Sequence, residues 1–273
     1  MKTKLPAARA VAGLWLVGLC LTACLAGQMA QESAGGSDRP AAPENRLLVA
    51  AASDLQFAFG EMGALYREKS GQEVSFTFGS TGNLASQIEN GAPFDIFAAA
   101  NVEFVERLAG QGLVIPDTQQ LYAQGRIALV VNRAAGVEAA ELNDLLDPSL
   151  SRIAIANPAH APYGKAAQEA LQSVGIWEDI QPKLVLGENV RQALQFVQTG
   201  DAQAGIVALS VADTPEVSYT LLEADLHQPL NQALAVIKGT PREAAARTFI
   251  KLANSPDGRQ IMKKYGFLLP GEF

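Results

Sequence analysis

Residues 47–55 read Leu47-Leu48-Val49-Ala50-Ala51-Ala52-Ser53-Asp54-Leu55, an unbroken apolar run that stops at a serine and an aspartate. A run this short, closed by turn-forming residue types, fits a strand buried on both faces. Leu55, Phe59, Met62, Leu65 and Tyr66 then recur at helical spacing as far as Lys69. The order is strand, polar turn, helix, and it repeats. Val74–Phe78 predicts a second strand and Leu84–Asn90 a second helix; Asp95–Ala99 predicts a third strand, with a helix through Leu108. Ile127–Val131 is a fourth apolar run, after which the pattern restarts with strands at 152–156, 183–186 and 205–209 and helices at 165–174 and 191–199. A strand at 233–237 and helices at 241–254 and 258–265 close the chain. Such alternation is the signature of an α/β fold with mainly parallel strands. The restart near residue 125 predicts two similar α/β lobes, with the closing helices returning to the first.

Upstream of this pattern the chain carries an address. Lys2, Lys4 and Arg9 precede a short apolar run, Leu14–Leu21, too short to span a bilayer as a helix. Leu21-Thr22-Ala23-Cys24 looks like a bacterial lipoprotein box, which predicts a signal peptide over residues 1–23 and a lipid on the Cys24 thiol. Residues 24–45, rich in Gly, Ser, Ala, Pro and Gln, read as a flexible tether.

Composition removes whole classes of chemistry. The net charge is −7, and about −10 once residues 1–23 are gone, which argues against a nucleic-acid partner. Both cysteines, Cys20 and Cys24, lie near the N-terminus, and His160 and His227 are the only histidines, so neither a disulfide framework nor a multi-histidine metal centre is expected in the folded part. A length of 273 residues suits one large domain or two moderate lobes.

Four strand-to-helix junctions share one character: Ala52-Ser53-Asp54, Gly79-Ser80-Thr81-Gly82-Asn83, Ala161-Pro162-Tyr163-Gly164 and Gly187-Glu188-Asn189-Val190. In open parallel sheets ligands bind beyond the carboxyl ends of the strands. The first N–H groups of each helix there lack intrahelical partners and carry partial positive charge. Four such ends facing one point would hold an anion without lysine or arginine, with Ser53, Ser80 and Thr81 adding hydroxyls. Each junction taken alone is explained as well or better by ordinary helix capping. Catalysis has less support: Ser53 and Ser80 lie outside any Gly-x-Ser-x-Gly elbow, and His160, between Ala159 and Ala161, reads as a surface residue. No enzyme activity is expected. Arg191 reads as an ion pair on its helix flank, Asp95 as a turn or lobe contact, and Trp177 and Tyr265 as packing.

Together, Ala50–Leu55, Phe78–Ile88, Gly91–Phe97, Asn157–Gly164, Glu188–Leu194, Gly205–Ser210 and Lys264–Phe267 resemble, in order and spacing, the periplasmic molybdate-binding proteins of bacterial ABC transporters. The resemblance implies a type II periplasmic-binding-protein architecture, two α/β lobes with mainly parallel central sheets joined by a hinge, with lobe I at about 46–121 and 229–273 and lobe II at about 122–228. It implies a substrate-binding protein that captures molybdate, and tungstate with it, for an ABC permease and its ATPase, with no cofactor and no bare metal ion. Ser53 and Thr81 match the hydroxyl donors, Ser80 being the alternative to Thr81; Tyr163 and Val190 match the backbone donors. Some members add a tyrosine hydroxyl where Ala208 stands here, and others an asparagine where Asp54 stands. Asp54 is expected to turn from the anion and bond backbone N–H groups in the first turn of its helix. The expected setting is the periplasm or cell envelope, with a monomer anchored to the membrane through Cys24. The competing readings are the same scaffold tuned to phosphate or sulfate and, from another class, a serine hydrolase using Ser53 or Ser80 with His160.

Overall fold

The computed structural model describes residues 46–273; the expected signal peptide, the expected tether and Cys24 lie outside the described residues. In chain order the strands are β1 (Arg46–Ala52), β2 (Glu73–Gly79), β3 (Ile96–Ala99), β4 (Gln120–Gly125), β5 (Ile127–Asn132), β6 (Ile153–Ala156), β7 (Leu184–Gly187), β8 (Ala204–Ala208), β9 (Val217–Leu221) and β10 (Leu230–Val236). The α-helices are α1 (Gln56–Ser70), α2 (Thr81–Glu89), α3 (Val102–Gly110), α4 (Pro162–Ser173), α5 (Trp177–Ile180), α6 (Val190–Thr199), α7 (Leu209–Ala212), α8 (Glu243–Ala253) and α9 (Pro256–Lys264).

The strands form two five-stranded sheets with one layout. The orders are β2-β1-β3-β10-β4 and β7-β6-β8-β5-β9. Within each, the first three strands are parallel, as βαβ crossovers require, and the last two run antiparallel to their neighbours. The chain passes between the sheets twice, from β4 to β5 through Arg126 and from β9 back to β10.

The apolar runs are strands for the expected reason. β3, β5, β6 and β8 are buried at every residue, and small alanines in β1, β3 and β6 let helices approach both faces. The closing helices do pack on elements of the first sheet: the Phe249 ring of α8 lies 5.7 Å from Phe59 and 5.4 Å from Tyr66 of α1 in edge-on contacts. Trp177 and Tyr265 pack against the core as expected. Asp95, immediately before β3, serves the turn after β10: its buried carboxylate accepts from the Leu48 N–H at 2.6 Å, from the Thr240 hydroxyl and from Arg242 Nε at 2.8 Å.

Two strands go beyond the sequence reading. β4 is interrupted by Gln120, Gln124 and Gly125, and β9 sits at a sheet edge with four of its five residues exposed, so neither carries the apolar run that marks a buried strand. Among the described residues no helix is long and apolar enough to cross a membrane.

Candidate functional site

All four junctions meet. A cavity of about 180 Å³ of atom-free space is lined by Ala52, Ser53 and Asp54 after β1, Gly79, Ser80 and Thr81 after β2, and Ala100 after β3. From the other sheet come Ala161, Pro162 and Tyr163 at the start of α4 and Val190 at the start of α6. Among the described residues no lysine or arginine lines it. Gly164 permits this approach, since a Cβ there would sit 2.1 Å from the Ala156 carbonyl oxygen at the end of β6.

The capping explanation fails at three junctions and holds at one. Ser80 is the N-cap of α2, yet its hydroxyl makes no cap bond and instead lies 2.8 Å from His160 Nδ1. Ser53 sits inside the 3-10 turn Ser53–Leu55, whose N-cap is Ala52. At α4 the N-cap is Ala161, which has no side chain to cap with. Only Asn189 caps, accepting from the Arg191 and Gln192 N–H groups at 3.0 and 3.1 Å and not from Val190. Thr81, Tyr163 and Val190 thus stand in first turns, where the backbone N–H has no intrahelical acceptor. Thr81 Oγ1 accepts the Ala100 N–H at 3.1 Å, which leaves its own proton free to donate.

Asp54 departs from expectation. Its carboxylate bonds side chains, not backbone N–H groups: Oδ2 accepts from Gln232 Nε2 at 2.7 Å and from the Tyr163 hydroxyl at 3.0 Å, while Oδ1 is buried without a partner. Burial wins over these bonds and raises its pKa to about 6. The network continues, since Gln232 Nε2 also donates to the Tyr163 oxygen at 3.0 Å and Gln232 Oε1 accepts from the Tyr122 hydroxyl at 2.8 Å. Burial holds both tyrosines well above their ordinary value, so they stay protonated. Gly125, the last residue of β4, lies against this network; a Cβ there would meet the Tyr163 hydroxyl oxygen at 2.1 Å and Gln232 Nε2 at 2.9 Å.

Three other expectations are corrected. His160 is not a surface residue but part of a clasp between the halves: besides the Ser80 contact, its carbonyl accepts the Gly82 N–H at 2.9 Å. Glu188 extends the clasp by accepting from Asn83, and its carboxylate lies 4.0 Å from His160 Nε2. A Ser80–His160 contact alone does not make a catalytic set, because that carboxylate is 60% exposed and beyond bonding distance, leaving the imidazole without an orienting acid. Arg191 makes no ion pair among the described residues; Nε donates to Gln56 Oε1 at 3.0 Å, and the guanidinium lies 5.0 Å from the centre of the Phe57 ring. Ala208 does not line the cavity; it pairs with Ile127 between β8 and β5, and Ser210, two residues on, donates instead to the Asp54 carbonyl at 2.8 Å. A larger groove, with about 1490 Å³ of atom-free space, lies along α1 and α9, but Glu61 and Lys264 there are already paired at 2.7 Å, and none of the four junctions reaches it.

Residues 47–268 match the family described as bacterial extracellular solute-binding proteins. The chain belongs to that family. This solute-binding protein is 34% identical over 228 residues to the molybdate-binding protein ModA of Rhodobacter capsulatus, covering 83% of this chain and 90% of that one. It is 31% identical over 231 residues to the ModA of Azotobacter vinelandii, covering 83% and 91%. The solved Azotobacter vinelandii periplasmic molybdate-binding protein superposes with a TM-score of 0.77 at 29% identity, covering 82% of this chain and 99% of that one. These relatives are named as binding proteins, not as enzymes.

Sequence reasoning missed Gln232, Tyr122 and Gly125 in this solute-binding protein. A glutamine inside the run Leu230–Val236 was a usable signal, since a polar residue in a fully buried strand needs a partner. The β4–β10 register shifts between Gln232 and Ala233, the kind of irregularity that re-aims a side chain.

Proposed function

We propose that this protein captures molybdate, and tungstate by the same chemistry, in the cavity between its two sheets and delivers it to an ABC permease and its ATPase. What supports the reading is that residues at four helix starts, two from each sheet, line one small cavity with no lysine or arginine among its described lining residues. A fully deprotonated oxoanion offers only acceptors, and helix N-termini with Ser53 and Thr81 hydroxyls offer only what it can accept. The names of the relatives favour molybdate among tetrahedral oxoanions. The anion is captured and released unchanged. The expected boundary at 121/122 would cut β4, which pairs with β10 in the first sheet, so lobe I is drawn as residues 46–125 with 229–273 and lobe II as residues 126–228. They would close on the anion about the two crossings between the sheets, and the anion would favour the closed state by binding it more tightly.

The test is a calorimetric titration with molybdate, tungstate, sulfate and phosphate. Ser53→Ala and Thr81→Ala are each expected to weaken molybdate by about 1.5–3 kcal/mol, the range for hydrogen bonds to a charged group. Wild-type affinity in both variants, or a preference for sulfate or phosphate, would overturn the assignment.

In the cell envelope the protein is read as a monomer tethered through a lipid on Cys24. Wild-type mature protein is expected in the membrane fraction, and Cys24→Ser in the soluble fraction or unprocessed. A single chain binds membranes only marginally, so firm retention implies more than one acyl chain. An unmodified N-terminus by mass spectrometry, with the wild type wholly soluble, would refute the anchor.

A further inference from the structure

We infer that Asp54 is a proton-carrying donor to the bound oxoanion: its unpartnered oxygen Oδ1 holds a proton taken from solvent as the anion enters, so that capture consumes about one proton per anion. The inference rests on the reading that an oxoanion occupies this cavity.

The hydrogen-bond geometry divides the roles of the two carboxyl oxygens. Tyr122 donates to Gln232 Oε1, which orients the amide so that Nε2 faces Asp54 and Tyr163. One Nε2 proton serves Asp54 Oδ2 and the other the Tyr163 oxygen, whose own proton then goes to Oδ2. Oδ2 therefore accepts twice, and any carboxyl proton belongs on Oδ1. That atom is buried and unpaired in a residue only 1% exposed that lines the cavity beside Ser53 and Thr81. As a carboxylate, Asp54 would set a like charge beside the incoming anion in a site shielded from water. As O–H it gives the anion one more donor. Burial, net of the hydrogen bonds that oppose it, already raises this carboxyl to about 6, and a dianion beside it acts in the same direction.

The groups around Asp54 leave it as the titrating member. Tyr163 from α4 and Tyr122 from β4 stay protonated, and Gln232 from β10 and Ser210 from α7, which bonds the Asp54 carbonyl, are uncharged. The charged or titratable side chains on neighbouring elements are His160, which contacts Ser80, and Glu188 and Arg191, which line an outer cleft with Ser53.

The experiment is molybdate titration calorimetry of the mature protein at pH about 7.5 in buffers of different ionisation enthalpy, where the slope of the observed enthalpy counts protons. The wild type is expected to take up about one proton per anion, falling toward zero near pH 5, with affinity dropping about tenfold per pH unit above about 6. Asp54→Asn is expected to lose the uptake and this pH dependence, while His160→Gln keeps both. Molybdate binding with no proton uptake by the wild type, or uptake that survives Asp54→Asn, would overturn the inference and leave the proposed function standing. Phosphate bound in preference to molybdate would overturn both the inference and the proposed function, because Oδ1 would then be accepting a proton from the ligand. No molybdate binding at all would overturn both.

Discussion

Gly125→Ala is expected to cost molybdate capture about a hundredfold in affinity, about 3 kcal/mol, while the ligand-free protein stays folded. The added methyl would lie 2.1 Å from the Tyr163 hydroxyl oxygen and 2.9 Å from Gln232 Nε2, distances no real contact tolerates. Tyr163 is 3% exposed and bonded at its tip to Asp54 and Gln232, so it has no free rotamer into which to retreat. The least costly relief is separation of the α4 N-terminus from the first sheet, which withdraws the Tyr163 backbone donor from the cavity. Overpacking of this kind costs about 1–3 kcal/mol or more. Binding is read by titration calorimetry and folding by ligand-free thermal unfolding. Near-wild-type affinity would mean that Tyr163 yields its position at no cost.

Asp95→Ala is expected to destabilise the protein by about 3–5 kcal/mol, the range for removing one partner of a buried ion pair. Asp95 is 1% exposed, and its loss strands three donors together: the Leu48 N–H of β1, the Thr240 hydroxyl and the Arg242 guanidinium, whose side chain is only 19% exposed. At a few degrees per kcal/mol for a protein of this size, the unfolding midpoint should fall by about 10 °C. The site is built on the same sheet but at the other ends of its strands, so molybdate affinity measured well below the midpoint should hold. A midpoint within a degree of wild type would show that Arg242 finds water or another partner.

The fold class and the positions of the four junctions were legible because both are written in local pattern. A buried strand must be apolar along its length, and the helix after it must repeat its apolar residues near every fourth position. That the chain doubles one sheet layout also showed in the restart after Ile127–Val131. The edge strand β9 was not legible, since exposure on both faces removes the pressure that makes a strand apolar. Helix starts at Thr81 and Pro162 precede the readings by three residues each, because those first turns face the cavity and carry polar or small residues in place of an apolar stripe.

The sequence by itself determined where donors could serve, at four helix starts placed by their flanking strands and periodicity, with hydroxyls at Ser53, Ser80 and Thr81; the family resemblance singled out Tyr163 and Val190 within them. Only the tertiary structure decided what their atoms do. Whether the Ser80 hydroxyl caps α2 or meets His160 depends on which partner lies within 3 Å, and His160 is brought there by the folding of a different sheet. Asp54, Tyr163 and Gln232 are separated by 109 and 69 residues along the chain, yet share three hydrogen bonds. Periodicity records how deeply a residue is buried, because burial follows from its own segment. It does not record which distant segment lies opposite, because that choice is made by packing and strand register over the whole molecule.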